Sequence, residues 1–334
     1  MGNQVSVDLG PVYVEVVVFL AEEPNPSFSS LNIYSEEYSG TFYFFRYNKK
    51  NIEQFKEHPI FRKIQPSDFP VPVTGMRYDS FQNYIQESFQ VPVTTHEQMP
   101  SATAALHYLT KSNNFGFYSY VRKPPNLEGL HFKASDFKYS PLPPQPEIYP
   151  CILINIRSGI SLYRVNSPTE FLKVGGSSLG GSTVWALLKM TCNYEDPVEA
   201  LQDALNGDHS LVDMTVKDIY GGAYQVLGLP ADVIASSCAK LRETSHSNHN
   251  PADVAKSVLL LFLFNSTQLA YMQAQVEGIQ NVVVIGNALH LPSLNMLAEV
   301  CMQFWSKGSL KLIHSEYGAY LAAFGSLLKH KNNT

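Results

Sequence analysis

A chain of 334 residues, 45% hydrophobic and 16% charged, is long enough to bury more than one core. Its 24 basic and 29 acidic residues leave a net charge of −5, which excludes a generally basic surface for nucleic acid or anionic membrane, and the ordinary apolar content excludes a fibrous or disordered chain. Glycine and proline are unevenly shared: residues 1–150 hold 6 of 20 glycines and 16 of 21 prolines, and residues 151–334 hold 14 and 5. That asymmetry excludes a uniform repeat array and predicts two lobes, 1–150 and 151–334, built under different backbone demands.

Taken in chain order, the first half opens with Val5-Ser6-Val7 and Tyr13 to Leu20, β-branched runs around Asp8-Leu9-Gly10-Pro11 that read as a hairpin. Residues 21–40 read as a polar loop, Thr41 to Tyr47 as an aromatic strand, 51–63 as weakly helical and Val71 to Gly75 as a short strand edged by Pro72. Tyr78, Phe81, Tyr84, Ile85 and Phe89 recur at helical spacing, and Glu97 to Leu109 predicts another helix. The proline-rich 122–150 stretch reads as an irregular connection.

The second half begins with a hairpin, Ile152 to Ile156 and Ile160 to Val165 around Arg157-Ser158-Gly159. The glycine-rich run Gly175 to Thr183 is expected to open a helix through Trp185 and Leu188. Asp196-Pro197-Val198-Glu199 and Asn250-Pro251-Ala252-Asp253 are helix starts, each with a capping side chain followed by Pro at the first helical position. A buried strand Val282 to Gly286, a helix, a strand Leu310 to Ile313 and a last helix complete a βαβα order and imply a parallel sheet.

Cys151, Cys192, Cys238 and Cys301 form no CxxC pair, so neither a zinc site nor a disulfide framework is expected, and reduced thiols point to a cytoplasmic location. Gly2 and Ser6 match an N-acylation pattern, but Val5 and Val7 predict burial of that segment in a strand. No signal peptide is read, and the apolar run Val258 to Phe264 is far shorter than the ~20 residues that span a bilayer.

Three features share one chemistry. A glycine turn between strands gathers backbone N–H groups that hold phosphate oxygens, an Asp at a strand end holds Mg²⁺, and a glycine-rich helix start adds free N–H groups and a dipole. Asp8-Leu9-Gly10, Ser158-Gly159 and Gly175 to Thr183 supply all three. The run Val174 to Trp185, with Val212-Asp213, Lys217-Asp218-Ile219-Tyr220-Gly221-Gly222-Ala223, Gly228-Leu229-Pro230, Val282 to Asn287 and Phe304 to Gly308, resembles the second-lobe signature of the type II (eukaryotic) pantothenate kinases. The resemblance is dense from about 150 to 329 and colinear before that. Its flavour is that of a pantothenate kinase-like branch whose kinase-like lobes are usually fused to a phosphatase domain, and it concerns the kinase-like region only.

The resemblance implies an α/β, two-lobed sugar kinase/Hsp70/actin-like (ribonuclease H-like) fold. It implies ATP and Mg²⁺ as cofactors, pantothenate as substrate at the first step of coenzyme A biosynthesis, acyl-CoA as a possible ligand, and a dimer through the second lobe, homomeric or with an active pantothenate kinase. It places Asp8 at the metal, Gly10, Ser158, Gly159, Gly180, Gly181, Gly286 and Asn287 at the nucleotide, and Lys173, Ser161, Ser178 and Tyr220 at the substrate. The family's first loop, Asp-Ile-Gly-Gly-(Thr/Ser) followed by a phosphate-contacting Lys, is Asp8-Leu9-Gly10-Pro11-Val12 and then Glu15 here. Pro11 has no N–H to donate, Val12 no hydroxyl, and Glu15 reverses the charge. The family's general-base Glu aligns with Gln82, which accepts no proton, and Met76 and Arg77 replace glycines. Asp79 and Glu87 are nearby carboxylates that would serve as a displaced base. In the second loop a glycine becomes Arg157, whose side chain is expected to fill the cleft; near the end two family glycines become Ala319 and Ala322. These departures predict a catalytically impaired, kinase-like binding or regulatory protein; an active ATP-dependent pantothenate kinase is the alternative.

Two further clusters have simpler readings. Ser245 to Asn250, with His246 and His249, reads as a solvated loop, and Phe262, Phe264, Tyr271 and Met272 read as core or dimer interface.

Overall fold

The computed structural model describes residues 3–51, 53–64, 70–75, 79–112, 116–122, 134–242, 249–286 and 291–332. Gly2, Met76, Arg77, Tyr78, His246 and Asn287, singled out above, lie outside the described residues.

The first sheet has the order β3-β4-β2-β1-β5-β6, from β1 (Gln4–Leu9), β2 (Tyr13–Leu20), β3 (Asn32–Ser35), β4 (Gly40–Asn48), β5 (Val71–Gly75) and β6 (Val93–Thr95). Strands β1 and β2 form the expected hairpin, and β5 joins β1 in parallel, with Thr74 beside Asp8. Between these strands run α1 (Gln54–Glu57) and α2 (Asp79–Phe89). After β6 comes α3 (Gln98–Lys111), then β7 (Phe117–Arg122) and β8 (Phe137–Pro141).

The second sheet has seven strands in the order β11-β10-β9-β14-β15-β7-β8. Its antiparallel hairpin is β9 (Cys151–Ile156) with β10 (Ile160–Val165), extended by the edge strand β11 (Phe171–Ser177). Helices α4 (Gly181–Cys192) and α5 (Pro197–Asn206) follow, then a small two-stranded ribbon of β12 (Met214–Thr215) and β13 (Ile234–Ser236) around α6 (Val216–Tyr220). The long α7 (Pro251–Glu277), β14 (Asn281–Gly286), α8 (Pro292–Ser306), β15 (Lys311–Ser315) and α9 (Leu321–Asn332) complete the chain; β14 pairs in parallel with both β9 and β15, as the βαβα order requires.

The two sheets share a middle layer. Helices α3 and α9 pack on each other between them, so one core joins Phe19, Phe42 and Phe44 of the first sheet, Leu106 and Phe324 of the helices, and Leu153, Val283 and Ile313 of the second sheet. The Phe324 ring lies 4.9 Å from Phe42 and 5.3 Å from Phe44, and each such buried ring contributes about 2–3 kcal/mol of transfer free energy. Gly325 permits this close crossing: a Cβ there would fall 1.7 Å from the Ser101 carbonyl oxygen. The outer face of the second sheet is covered by α4, α5, α7 and α8, and the outer face of the first by α1 and α2. Strands β7 and β8, drawn from before residue 150, extend the second sheet, while α9 packs on β1 and β5 of the first.

Several elements differ from the sequence reading. The stretch 21–40 contains β3, and part of 122–150 forms β8, which gains its partner only by pairing with β7. Gly175 and Gly176 belong to the edge strand β11, where Gly176 lets β10 approach: a Cβ would sit 2.6 Å from the Ile160 carbonyl oxygen. The capping starts hold. Asp196 accepts from the Val198 N–H at 2.9 Å and Asn250 from the Ala252 N–H at 3.0 Å. Asp196→Ala is expected to cost about 1 kcal/mol, read as a lower urea midpoint at unchanged m-value. Helix α7 is long and apolar enough to cross a membrane by length and composition, yet 67% of its apolar window is buried, where it serves as a core helix of the second lobe.

Candidate functional site: a charged row across the interlobe cleft

Cross-strand pairing builds the site. In the first sheet Asp8 is the register partner of Glu15, Glu15 of Arg46, and Asp8 of Thr74, so four polar side chains line up across β4, β2, β1 and β5. Asp8 and Glu15 are both fully buried. Glu15 Oε1 accepts from Arg46 Nε and Nη2 at 3.0 Å each, and the Arg46 guanidinium lies 4.5 Å from the Tyr13 ring centre. Burial raises the Glu15 carboxyl to about 7, with Arg46 pulling it down and the Asp8 charge adding to the rise.

The second lobe completes the row. Arg157, in the β9–β10 turn, donates from Nη1 to Asp8 Oδ2 at 2.7 Å, across 149 residues of sequence. Thr74 Oγ1 donates to the other Asp8 oxygen at 2.9 Å. With its amide oxygen turned to the guanidinium, Gln98 at the start of α3 accepts from Arg157 Nε at 3.0 Å and from Nη1. Burial disfavours the Arg157 charge, but Asp8 and then Glu15 outweigh it and hold the guanidinium above its ordinary pKa. The carboxylate expected at a metal ion therefore meets a protein cation, with three further side-chain hydrogen bonds fixing the geometry.

The backbone donors around this pair are also engaged. The Gly10 N–H bonds the Tyr13 carbonyl at 2.9 Å, and the first two donors of α4, Gly181 and Ser182, bond the Arg157 and Ser158 carbonyls at 2.7 and 3.3 Å. Gly180 is glycine because the two loops touch: a Cβ would fall 2.3 Å from Gly159 Cα. Two of the donors at this glycine-rich helix start, those of Gly181 and Ser182, are thus engaged by the neighbouring turn. Gly286, at φ +133°, lies against Ile156, where a Cβ would reach 1.9 Å from its carbonyl oxygen. With Gln98, Arg157 and Gly318 it borders a gap of only about 10 Å³.

Of the remaining sequence candidates, Ser158 and Gly159 stay beside Arg157 in the turn, and Ser161 is half-buried on β10. Ser178 and Lys173 are exposed on and after β11, and Tyr220 is exposed and stacked on Tyr224 with ring centres 4.3 Å apart. Gln82 is half-buried on α2 and hydrogen-bonds neither Asp8 nor Arg157. Arg46 and Gln98 were not found from the sequence; Arg46 was accessible in principle, as the cation opposite a buried Glu in adjoining strands.

The tip of the first hairpin has turned apolar. Pro11 and Val12 wall a cavity of about 100 Å³ with Trp185, Leu188, Leu201 and Phe262. Away from the cleft, Asp213 gathers the Cys238 N–H at 2.7 Å, His209 Nδ1 at 3.2 Å and the Ser257 hydroxyl. That buried knot pins the segment between α5 and α7.

The comparisons with known proteins fit this geometry. The profile of the Fumble family matches residues 4–329. The chain belongs to the Fumble family, the type II pantothenate kinases. It is 29% identical to the pantothenate kinase of Schizosaccharomyces pombe, over 98% of this chain and 82% of that one. It is 30% identical to a mouse 4'-phosphopantetheine phosphatase over 88% of this chain, but spans only 34% of that protein. Rice pantothenate kinase 2 shares 26% identity over 80% of this chain and 29% of its own length. Among solved structures, component A of the (R)-2-hydroxyglutaryl-CoA dehydratase of Acidaminococcus fermentans superposes with a TM-score of 0.53 at 9% identity, covering 99% of both chains. This likeness shows the fold alone: two α/β lobes of the sugar kinase/actin-like ATPase type.

Proposed function

We propose that this Fumble-family member of coenzyme A metabolism is a catalytically impaired kinase-like protein, acting as a binding or regulatory subunit. The observation that carries the reading is the buried Arg157–Asp8 pair. Fold and family imply ATP and Mg²⁺, but the residues present do not fit them. Asp8 is neutralised by a guanidinium, Pro11 offers no N–H, the Gly10, Gly181 and Ser182 donors are engaged, and Gln82 is no base.

Two ligand readings accompany it. The apolar cavity at Pro11 and Trp185 favours an aliphatic group, such as the acyl end of an acyl-CoA, over a triphosphate. Leu269, Met272 and Val276 form an exposed apolar stripe on α7, which supports pairing through the second lobe, with a second copy or with an active pantothenate kinase. The alternative, an active ATP-dependent pantothenate kinase, rests on the near full-length similarity to the fission-yeast enzyme.

A coupled ADP-release assay with pantothenate, ATP and Mg²⁺ separates the two. The expected result is no turnover above background for the wild type or for Gln82→Glu, and no thermal shift with Mg·ATP. Arg157→Gly, which frees Asp8, is expected to gain a Mg·ATP shift. Wild-type turnover near the ~1–100 s⁻¹ of ordinary kinases would sink the proposal.

A further inference from the structure

We propose that Lys138 to Pro144 is a docking motif for an SH3-type domain, one with an aromatic-lined polyproline groove beside an acidic pocket. The segment reads Lys-Tyr-Ser-Pro-Leu-Pro-Pro, a cation followed by two X–Pro pairs, and lies in the proline-rich stretch that the sequence alone marks only as an irregular connection. A groove of this kind reads its ligand as a left-handed polyproline II helix with three residues per turn. Each X–Pro pair fills one slot, the residue between pairs faces away, and the acidic pocket takes the cation.

The contacts of the segment divide in the same way. Pro141, Pro143 and Pro144 are exposed and Ser140 is half-buried, so both X–Pro pairs can be reached. Lys138, at the cation position, is exposed and forms no ion pair among the described residues. The two positions that face away from such a groove are Tyr139 and Leu142, and these are the ones the fold itself holds. The Tyr139 hydroxyl donates to Glu316 Oε1 at 3.1 Å, and its ring centre lies 4.9 Å from that of Tyr118. Leu142 is buried in the core of the middle layer.

The segment is also ordered before any partner arrives. Each proline fixes its own φ at about −65° and biases the residue before it to extended backbone, which covers 140–144. The Leu142 N–H bonds the Phe117 carbonyl at 2.9 Å. After Pro144 the chain turns at Gln145, φ +50°, whose Nε2 donates to the Lys111 carbonyl at 3.3 Å, and Ile148 returns to the core. Strand β8, which carries Lys138 to Pro141, is the outermost strand of its sheet. A ligand segment held extended loses little conformational entropy on docking. The surface is independent of the Asp8–Arg157 cleft and of the reading given to it.

The test is an array of purified SH3, WW and EVH1 domains probed with the fluorescently labelled full chain, then an anisotropy titration of each responder. Saturable one-site binding is expected to SH3 domains that take the cation at the N-terminal end of their ligand. Pro141→Ala with Pro144→Ala should weaken it at least about tenfold. Lys138→Glu should do the same, and the binding that is left should lose most of its salt dependence. Pro146→Ala, outside the seven residues, should bind as the wild type does. If the proline variant melts at a lower temperature, Lys138→Glu, a change at one exposed position, decides alone. No SH3 binding on the array, capture by WW or EVH1 domains only, SH3 binding that survives Lys138→Glu, or SH3 binding that is lost in Pro146→Ala overturns the proposal. Turnover or nucleotide binding in the cleft alters none of these outcomes.

Discussion

Arg157→Met is expected to destabilise the protein by about 3–5 kcal/mol, the usual cost of stranding one member of a buried ion pair. Asp8 is fully buried, and once Arg157 is removed Thr74 is, among the described residues, the one side chain still facing it with a hydrogen bond. Asp8→Asn should be costly for the reciprocal reason, since Arg157 would keep its charge in the same buried site with Gln98 as its main acceptor. The double variant Asp8→Asn with Arg157→Met removes both charges, and should recover most of the loss. Urea unfolding of the four proteins gives the coupling directly. Simple additivity of the two single losses would show that the pair does not hold the lobes together.

The second large effect lies far from the cleft. Glu299 on α8 and His314 on β15 face each other at 4.0 Å in the interior, with Tyr118 stacked on the imidazole at 5.5 Å. Burial raises the Glu299 carboxyl from 4.5 to about 8 and lowers His314 from 6.5 to about 3. Both groups are therefore neutral at pH 7. For Glu299 the folded pKa is the higher one. Its site is unpenalised below pH 4.5, and the folded state loses ground as pH rises from 4.5 to about 8, where the unfolded chain ionises freely. His314 has the opposite sense: below about 6.5 the unfolded chain gains a proton that the folded site refuses until about 3. Glu299→Gln keeps the shape and removes the ionisation. It should stabilise the protein by about 2–4 kcal/mol at pH 8 and by little at pH 4.5. Thermal melts of both proteins from pH 5 to 8.5 test this. A gain that does not grow with pH would refute the buried, protonated Glu299.

Much of the second lobe was legible because its signals are local. Asp196 and Asn250 cap their helices, the Arg157-Ser158-Gly159 turn joins β9 to β10, and Val282 to Gly286 is a buried parallel strand. Gly176 and Gly180 are there so that backbones may touch, a demand that leaves the same residue as an anion site does. Strand β8 escaped because its partner β7 lies beyond a gap in sequence and its prolines speak for loop. The cleft itself depended on non-local pairing. That Asp8, Glu15 and Arg46 stand in one row follows from strand register, but nothing in the sequence joins Arg157 and Gln98 to Asp8 before the lobes are folded together.

The middle layer of α3 and α9 also governs how this chain is made. The inner faces of β1, β2 and β4 are covered only in part, by α3, until α9 emerges, more than 270 residues later; even the Ser6 hydroxyl waits for the Ala323 carbonyl, 317 positions away. A ribosome delivering residues in order therefore leaves Phe19, Phe42 and Phe44 exposed for most of synthesis, a long interval in which a holding chaperone is useful. For the same reason the chain has no natural place to be cut into halves that fold alone: a fragment ending near 150 would lack the helix that closes its own sheet.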